Sequence, residues 1–404
     1  MAQDVSALAP LRVAFVSGGL KLGGATTFLC NLGGELLRRG VPVQVLSFEQ
    51  ENPLGSDFEG LNLPVLSHDE RRVIFEDRLS AVLHQLRQFR PTAVVACLSA
   101  VSFEVLRYVP EGVFRIGMVQ SHDPGVYQMV RFYPGQLDLL AAVSQTIRET
   151  LEGMQEFAPV RVEYLPYGVP IPETTRPSAP HSSAPLRILY LGRLDQEQKR
   201  VRLFPAILEQ LRSSGIPFHW TIAGEGPEKA FLQSAMKGSR DQTVSFAGKI
   251  SYSAVPQVLY DHDIFLLASD YEGLPLSLLE AMASGLVPVV SDLSSGIREV
   301  VDETTGKRVA PDDLDGYARA IIWLHQNRAE MARLAENARE KVRRDFSVGA
   351  MSDRWLNVLP QVLQPDVVWP ERSSIKPPLV APNDFRYSRL GRVLRRILFK
   401  LRSA

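Results

Sequence analysis

The chain has 404 residues, 45% hydrophobic and 22% charged, which is too long for one comfortable core and reads as two domains of a soluble globular protein. Its 45 basic residues balance 45 acidic ones, but seven of the basic residues fall in the last twenty, leaving an acidic body that argues against nucleic-acid binding. No apolar run approaches the roughly 18 residues that span a bilayer. The N-terminus lacks the basic start and apolar core of a signal peptide. Cys30 and Cys97 are the only cysteines, which leaves no disulfide framework and no Cys-rich metal site and points to the cytoplasm.

Along the first half, short β-branched runs at 12–18, 41–48, 92–99, 115–122, 137–144 and 162–168 read as strands. Helical patterns lie between them, at 24–39, 70–89 and 144–154 among others. Continuous apolar strands separated by helices form a parallel sheet covered on both faces. The stretch 170–185 carries five prolines and reads as an extended linker. Strand patterns restart at 186–192, 218–226, 243–250, 264–269 and 286–292, followed by helical sequence over 314–345 and an amphipathic helix over 346–363. The expected fold class is therefore α/β, with two Rossmann-like doubly wound domains, 1–169 and 186–345, facing across a cleft.

A second Pro-rich spacer, 364–384, precedes a basic tail, 385–404. In the tail Leu390, Val393, Leu394, Ile397, Leu398 and Leu401 recur at helical spacing, with Arg389, Arg392, Arg395, Arg396 and Arg402 around them. A basic amphipathic helix of this kind reads as a peripheral anchor on an anionic membrane surface. A packing helix, or a tail that docks an acidic partner, remains the alternative.

Ligands of doubly wound sheets bind beyond the carboxyl ends of the strands. The first strand runs into "SGGLKLGGATTF", where Gly23 and Gly24 precede a helix N-terminus suited to an anion. The spacing matches neither the Rossmann fingerprint nor the P-loop, so an anion cradle and a plain connector both stay open. His122 stands at the tip of the 115–122 strand, as a functional or a structural histidine. Arg193 and Lys199 follow the first strand of the second domain and could grip a diphosphate, Arg by its planar fork and Lys as a point charge. Arg200 and Arg202 read as solvated loop charges. Gly224 and Gly226 open the turn after 218–226. "DHD" at 261–263 resembles a metal-binding pair but sits at a helix end ahead of a strand.

The stretch "SDYEGLPLSLLEAMASG", 269–285, places two acids in apolar surroundings. Pro275 suits the first helical position and Gly285 the position just past the end. Glu272 precedes the helix, and Glu280 lies one and a half turns inside it. The free N–H groups of Gly273, Leu274 and Leu276 and the helix dipole favour phosphate or clustered hydroxyls. A buried acid that accepts from a vicinal diol such as ribose is a solution Rossmann domains also use.

With these pieces in order, residues 12 to 360 resemble a GT-B-fold retaining glycosyltransferase of glycosyltransferase family 4. The residues that carry the resemblance are the E-x7-E element of Glu272 and Glu280, with "LGRLDQEQK", "IAGEGPE", "VSFAGKI" and "GIREVVDETTGKRVAPDD". The resemblance implies that Arg193 and Lys199 hold the donor diphosphate, Glu280 the ribose and Glu272 the transferred sugar. It also puts His122 near the reacting centre, Gly23 and Gly24 over the phosphates, and the 346–363 helix back on the N-terminal domain. The chain departs from the family's pattern at Tyr167-Gly168, where many members have Asn-Gly, and at Arg200, where a glycine often follows the lysine. After Gly24 it has "ATTF", without the charged residue some members carry there.

The implied activity is metal-independent hexosyl transfer, with no cofactor, from a nucleotide sugar to a glycan or lipid-linked acceptor at the cytoplasmic face of a membrane. A sugar-nucleotide epimerase or phosphorylase on the same scaffold, or a non-catalytic scaffold protein, is the alternative.

Overall fold

The computed structural model describes residues 11–20, 23–48, 64–67, 75–97, 99–174, 184–236, 243–359, 367–369, 376 and 378–379. The basic tail and most of the 170–185 and 364–384 stretches lie outside the described residues.

Seven strands build the first sheet: β1 (Val13–Ser17), β2 (Val43–Ser47), β3 (Val65–Ser67), β4 (Ala93–Ala96), β5 (Phe114–Val119), β6 (Leu139–Ala142) and β7 (Arg161–Tyr164). Six build the second: β8 (Leu186–Leu191), β9 (Phe218–Ala223), β10 (Val244–Gly248), β11 (Ile264–Leu267), β12 (Val287–Ser291) and β13 (Lys307–Val309). The orders are β3-β2-β1-β4-β5-β6-β7 and β10-β9-β8-β11-β12-β13, and every pairing is parallel. Central strands such as β1 (VAFVS) and β12 (VPVVS) are buried at every position, as helices on both faces require. In each sheet the strand order reverses beside the first strand, at β1/β4 and β8/β11. The crevice beyond the strand ends at that point is where such sheets bind ligands.

The chain passes between the domains twice, and the two crossings lie side by side. Val169 pairs with Ser347 in a parallel bridge, and Val169 N–H donates to the Phe346 carbonyl at 2.9 Å. Gly168 is required there, because a Cβ would lie 2.5 Å from the Ser347 carbonyl oxygen. Beyond the crossing the helix Val348–Val358 packs on the helix Gly24–Arg38 of the N-terminal domain. Fully buried Trp355 meets Phe28 and Phe15 at ring-centroid distances of 6.0 and 6.4 Å, and Arg39 pairs with Asp353.

Several boundaries differ from the sequence reading. The edge strands β3 and β13, three residues each, carry no readable periodicity. The helical stretch 314–345 is two helices, Leu314–Gln326 and Arg328–Asp345, broken at Asn327. Part of the second Pro-rich spacer is seated rather than free. The backbone N–H of Lys376 donates to the Tyr108 hydroxyl at 3.0 Å, and that of Leu379 to Glu104 Oε2 at 3.2 Å. Glu104 is 1% exposed and also bonds Arg107 and Tyr133, so Leu379 helps satisfy a buried carboxylate in the N-terminal domain.

Candidate active site

A cleft of about 820 Å³ separates the carboxyl ends of the two sheets. It gathers Gly23, Gly24, Arg193, Lys199, Gly224, Glu272, Gly273, Leu274, Leu276 and Glu280 from the segments that follow four strands, β1, β8, β9 and β11. His122 is not among its lining residues. Its ring turns edge-on to Tyr127, with Nδ1 2.6 Å from the Tyr127 hydroxyl, and burial holds its pKa below the ordinary histidine value. The flanking Ser121 and Asp123 line the cleft instead. Asp123 accepts from Gly125 N–H at 2.7 Å and caps the helix Pro124–Val130, which turns the chain here.

The centre of the site is an ion pair. Lys199 Nζ lies 2.5 Å from Glu272 Oε1, with side chains 13% and 6% exposed. Ser269 donates to the same oxygen at 2.6 Å, and Gln198 Nε2 stands 3.4 Å from Oε2 and 3.1 Å from the Tyr271 carbonyl. Gln198 Oε1 accepts from Arg193 Nη2 at 2.5 Å. Asp195 closes the turn by accepting from the backbone N–H groups of Gln198 and Lys199 at 2.9 and 3.2 Å. Arg193 is thus held at the rim of the cleft, with Lys199 deeper in. Arg200, expected as a solvated charge, is instead anchored to the Pro311 carbonyl and Asp312 at 3.1 and 3.0 Å. Its φ of +50° is the left-handed conformation that a glycine adopts without strain.

The helix behind Glu272 spans Leu276–Ala283, with Pro275 as its N-cap residue rather than its first turn, and Gly285 (φ +83°) just past its end. Leu278, Leu279, Ala281, Met282 and Ala283 bury the outer faces, so Ser277 and Glu280 are left for the cleft. Glu280 is half-buried, and desolvation pushes its carboxyl up to about 7. The backbone N–H groups of Gly273, Leu274 and Leu276 donate to no carbonyl among the described residues. Gly224 (φ +148°) lets the β9 turn touch the β8 turn, since a Cβ there would lie 1.8 Å from the Gly192 carbonyl oxygen.

The two domains also touch directly through hydrogen bonds. Tyr252 donates to Asn31 Oδ1 at 2.7 Å, and Asn31 Nδ2 donates to the Gly168 carbonyl at 2.9 Å. Glu299 accepts from Gln145 N–H at 2.6 Å and from the Tyr164 hydroxyl at 2.7 Å. A Cβ on Gly273 would lie 2.4 Å from the Gln120 carbonyl oxygen, so only glycine permits this approach of the two halves.

The "DHD" segment occupies the turn ahead of β11. His262 spends both ring nitrogens, on the Val258 carbonyl at 2.6 Å and the Thr221 hydroxyl at 2.8 Å. Among the described residues no group of three or more His, Cys, Asp or Glu side chains is placed to hold a metal ion.

Residues 185–327 match the family model for glycosyl transferases group 1. The match lies within the C-terminal domain. Arg193, Lys199, Gly224, Glu272 and Glu280 all lie within the matched residues.

The chain is 34% identical over 174 residues to the putative colanic acid biosynthesis glycosyltransferase WcaL of Escherichia coli (strain K12), covering 41% of this chain and 42% of that one. It is 35% identical over 171 residues to the amylovoran biosynthesis glycosyltransferase AmsK of Erwinia amylovora, covering 40% and 42%. The chain thus spans 42% of the length of either relative. In fold it is similar to S. aureus TarM, solved in complex with UDP, at a TM-score of 0.73 with 13% identity, covering 86% of this chain and 99% of that one. Both domains together make the GT-B fold.

Sequence reasoning missed Gln198, Ser269, Asn31, Tyr252 and Gln120. None carries a charge, and Gln198, Asn31 and Tyr252 act through partners 73 to 221 positions away. The only local signal was the placing of Gln198 and Ser269 beside residues already marked at strand ends.

Proposed function

We propose that the chain is a retaining glycosyltransferase that moves a hexose-type sugar from a nucleotide sugar to a glycan or lipid-linked acceptor in polysaccharide synthesis. The observation that carries this reading is the Lys199–Glu272 ion pair, set between Arg193 at the rim and the unpaired carboxyl of Glu280 on the helix behind. The polysaccharide context comes from the names of the relatives, which are biosynthetic glycosyltransferases for colanic acid and amylovoran.

An ammonium has three donors, so Lys199 keeps two for diphosphate oxygens after bonding Glu272. Glu272 Oε1 already accepts from Lys199 and Ser269, which makes it a weak nucleophile. Oε2 remains to accept from a sugar hydroxyl. Retaining glycosidases place two carboxylates about 5 Å apart around the bond they break. Here Glu280 is given to the ribose diol, so same-face attack suits the site better. The bond from the anomeric carbon to the diphosphate oxygen breaks, the acceptor hydroxyl attacks from the same side, and its proton passes to the departing oxygen. Arg193, Lys199 and the N–H groups of Gly273, Leu274 and Leu276 stabilise the charge on the diphosphate, the role a metal plays in other enzymes.

Incubation with a panel of nucleotide sugars is expected to raise the melting temperature with at least one, because a ligand at a hundred times its Kd adds about 2.7 kcal/mol. Transfer from that donor should persist in excess EDTA. A complete loss of transfer that added metal restores overturns the cation-only mechanism. Product that is an epimerised nucleotide sugar, with no new glycosidic bond, overturns the transferase reading.

The tail is proposed as a peripheral anchor for a membrane-linked acceptor. Each basic residue near an anionic surface contributes about 1 kcal/mol. Among the described residues no helix is long and apolar enough to cross a membrane. Because Leu379 is bonded to Glu104, truncation after residue 384 tests the tail without disturbing the N-terminal domain. That variant is expected to leave anionic liposomes while keeping its thermal shift with nucleotide. Cosedimentation equal to the full chain overturns the anchor.

A further inference from the structure

One polar side chain in the cleft takes no part in the chemistry above. Gln120 follows the last residue of β5, lines the cleft and is 7% exposed. Among the described residues neither its Oε1 nor its Nε2 has a hydrogen-bond partner. The Tyr167 hydroxyl stands beside the amide, near enough to feel it, without meeting hydrogen-bond geometry. Native interiors pair buried amides almost without exception, because an unpaired one destabilises the fold. Rules of this kind are broken chiefly at functional positions.

The position of Gln120 says which part of a ligand it meets. The Gly273 backbone packs against the Gln120 carbonyl, so the residue faces the Glu272–Gly273 turn from the opposite domain. The charge of Glu272 is felt at the Tyr167 hydroxyl. Glu272 is the acid given above to the transferred sugar, whereas Glu280 and Tyr252 mark the nucleoside side.

We infer that the Gln120 carboxamide, with the Tyr167 hydroxyl beside it, is the N-terminal domain's recognition site for hydroxyl groups of the transferred sugar. The inference rests on the donor-site reading above. A carboxamide presents one acceptor and two donors side by side, which suits two neighbouring hydroxyls of a neutral hexose. Being uncharged, it selects by hydrogen-bond geometry, and so by sugar epimer. A site built to bond a hydroxyl discriminates strongly against an analogue that misplaces it, because its own polar groups are then left unpaired.

Calorimetric titration of the wild type and Gln120→Leu with UDP, GDP, UDP-glucose, UDP-galactose, GDP-glucose and GDP-mannose tests the inference. The two proteins should bind the bare diphosphates equally. The ratio of affinities between epimeric sugars should shrink roughly three- to tenfold in the variant, the worth of one or two neutral hydrogen bonds. The variant should also melt no lower than the wild type, since it buries no unpaired amide. A structural role for Gln120 predicts the reverse, a lower melting temperature with the epimer ratio intact. An unchanged ratio in Gln120→Leu means that the amide holds only water and overturns the inference. Should Gln120→Leu fold poorly, Gln120→Met, unbranched and of similar length, decides by the same ratio. A wild type that binds the diphosphates but treats every epimer alike overturns the inference and leaves the donor site standing. A wild type that binds none of the six overturns both.

Discussion

Lys199→Ala is expected to lower turnover by roughly a hundred- to a thousandfold, the loss found when one donor to developing transition-state charge is removed. On the reading proposed above, the lysine sits where the leaving diphosphate and the sugar-binding acid would meet, 2.5 Å from Glu272 Oε1 and 13% exposed. Arg193 is held at the rim by Gln198 and cannot replace a point charge deeper in the cleft. The same variant should lose stability. Removing one partner of a buried pair costs about 3–5 kcal/mol, because the other charge is left uncompensated.

The two effects separate in a double variant. Lys199→Ala/Glu272→Gln should recover much of the stability, since the orphaned charge is gone, and none of the turnover. Two residues in direct contact are expected to be non-additive. Denaturant midpoints and single-turnover rates on the wild type, Lys199→Ala, Glu272→Gln and the double variant read both quantities. Turnover in Lys199→Ala within tenfold of the wild type would remove this residue from leaving-group chemistry.

Glu280→Gln is expected to abolish the pH dependence of donor binding. Burial raises the Glu280 carboxyl from 4.5 to about 7, so the empty protein holds its proton over that window while the unfolded chain releases it. The native state then binds more protons than the unfolded one, and its stability falls as pH rises from 4.5 towards 7. A diol needs the ionised acceptor, so affinity for a nucleotide sugar should climb through about pH 7 and level off above it. A nucleotide sugar is the right probe because its diphosphate, esterified at both ends, does not titrate in this range.

Glutamine at this position presents an uncharged acceptor at every pH. The variant should bind flatly, weaker than the wild type at pH 8 by about 1.5–3 kcal/mol, the worth of a hydrogen bond to a charged group. The gap should narrow by about 1.4 kcal/mol towards pH 6, where the wild-type carboxyl is mostly protonated. The variant's unfolding free energy should also lack the wild-type decline over the same window. Parallel binding profiles from pH 6 to 8 in the two proteins would show that Glu280 does not meet the diol.

The sequence by itself determined the two parallel sheets, because each central strand is a short apolar run bounded by turn residues. It also marked the places where ligand chemistry concentrates, since strand ends followed by Gly23-Gly24, Arg193 to Lys199 and Glu272-Gly273 are local features readable in a few residues. The three-residue strands β3 and β13 were out of reach, being too short for any periodicity. So was the direction of a side chain at a strand tip. His122 and Gln120 stand two residues apart at the end of β5, yet Tyr127 draws the histidine aside while the amide lines the cleft. Only the tertiary structure decided which charges neutralise each other. Lys199 and Glu272 lie 73 positions apart, and nothing local says that they pair rather than face separate ligands. The contact between the domains was equally non-local, since Tyr252 reaches Asn31 across 221 positions and Gly273 meets the Gln120 carbonyl of the other domain. Secondary structure follows from side-chain pattern over a few residues, whereas these contacts exist only once both sheets are built and brought face to face.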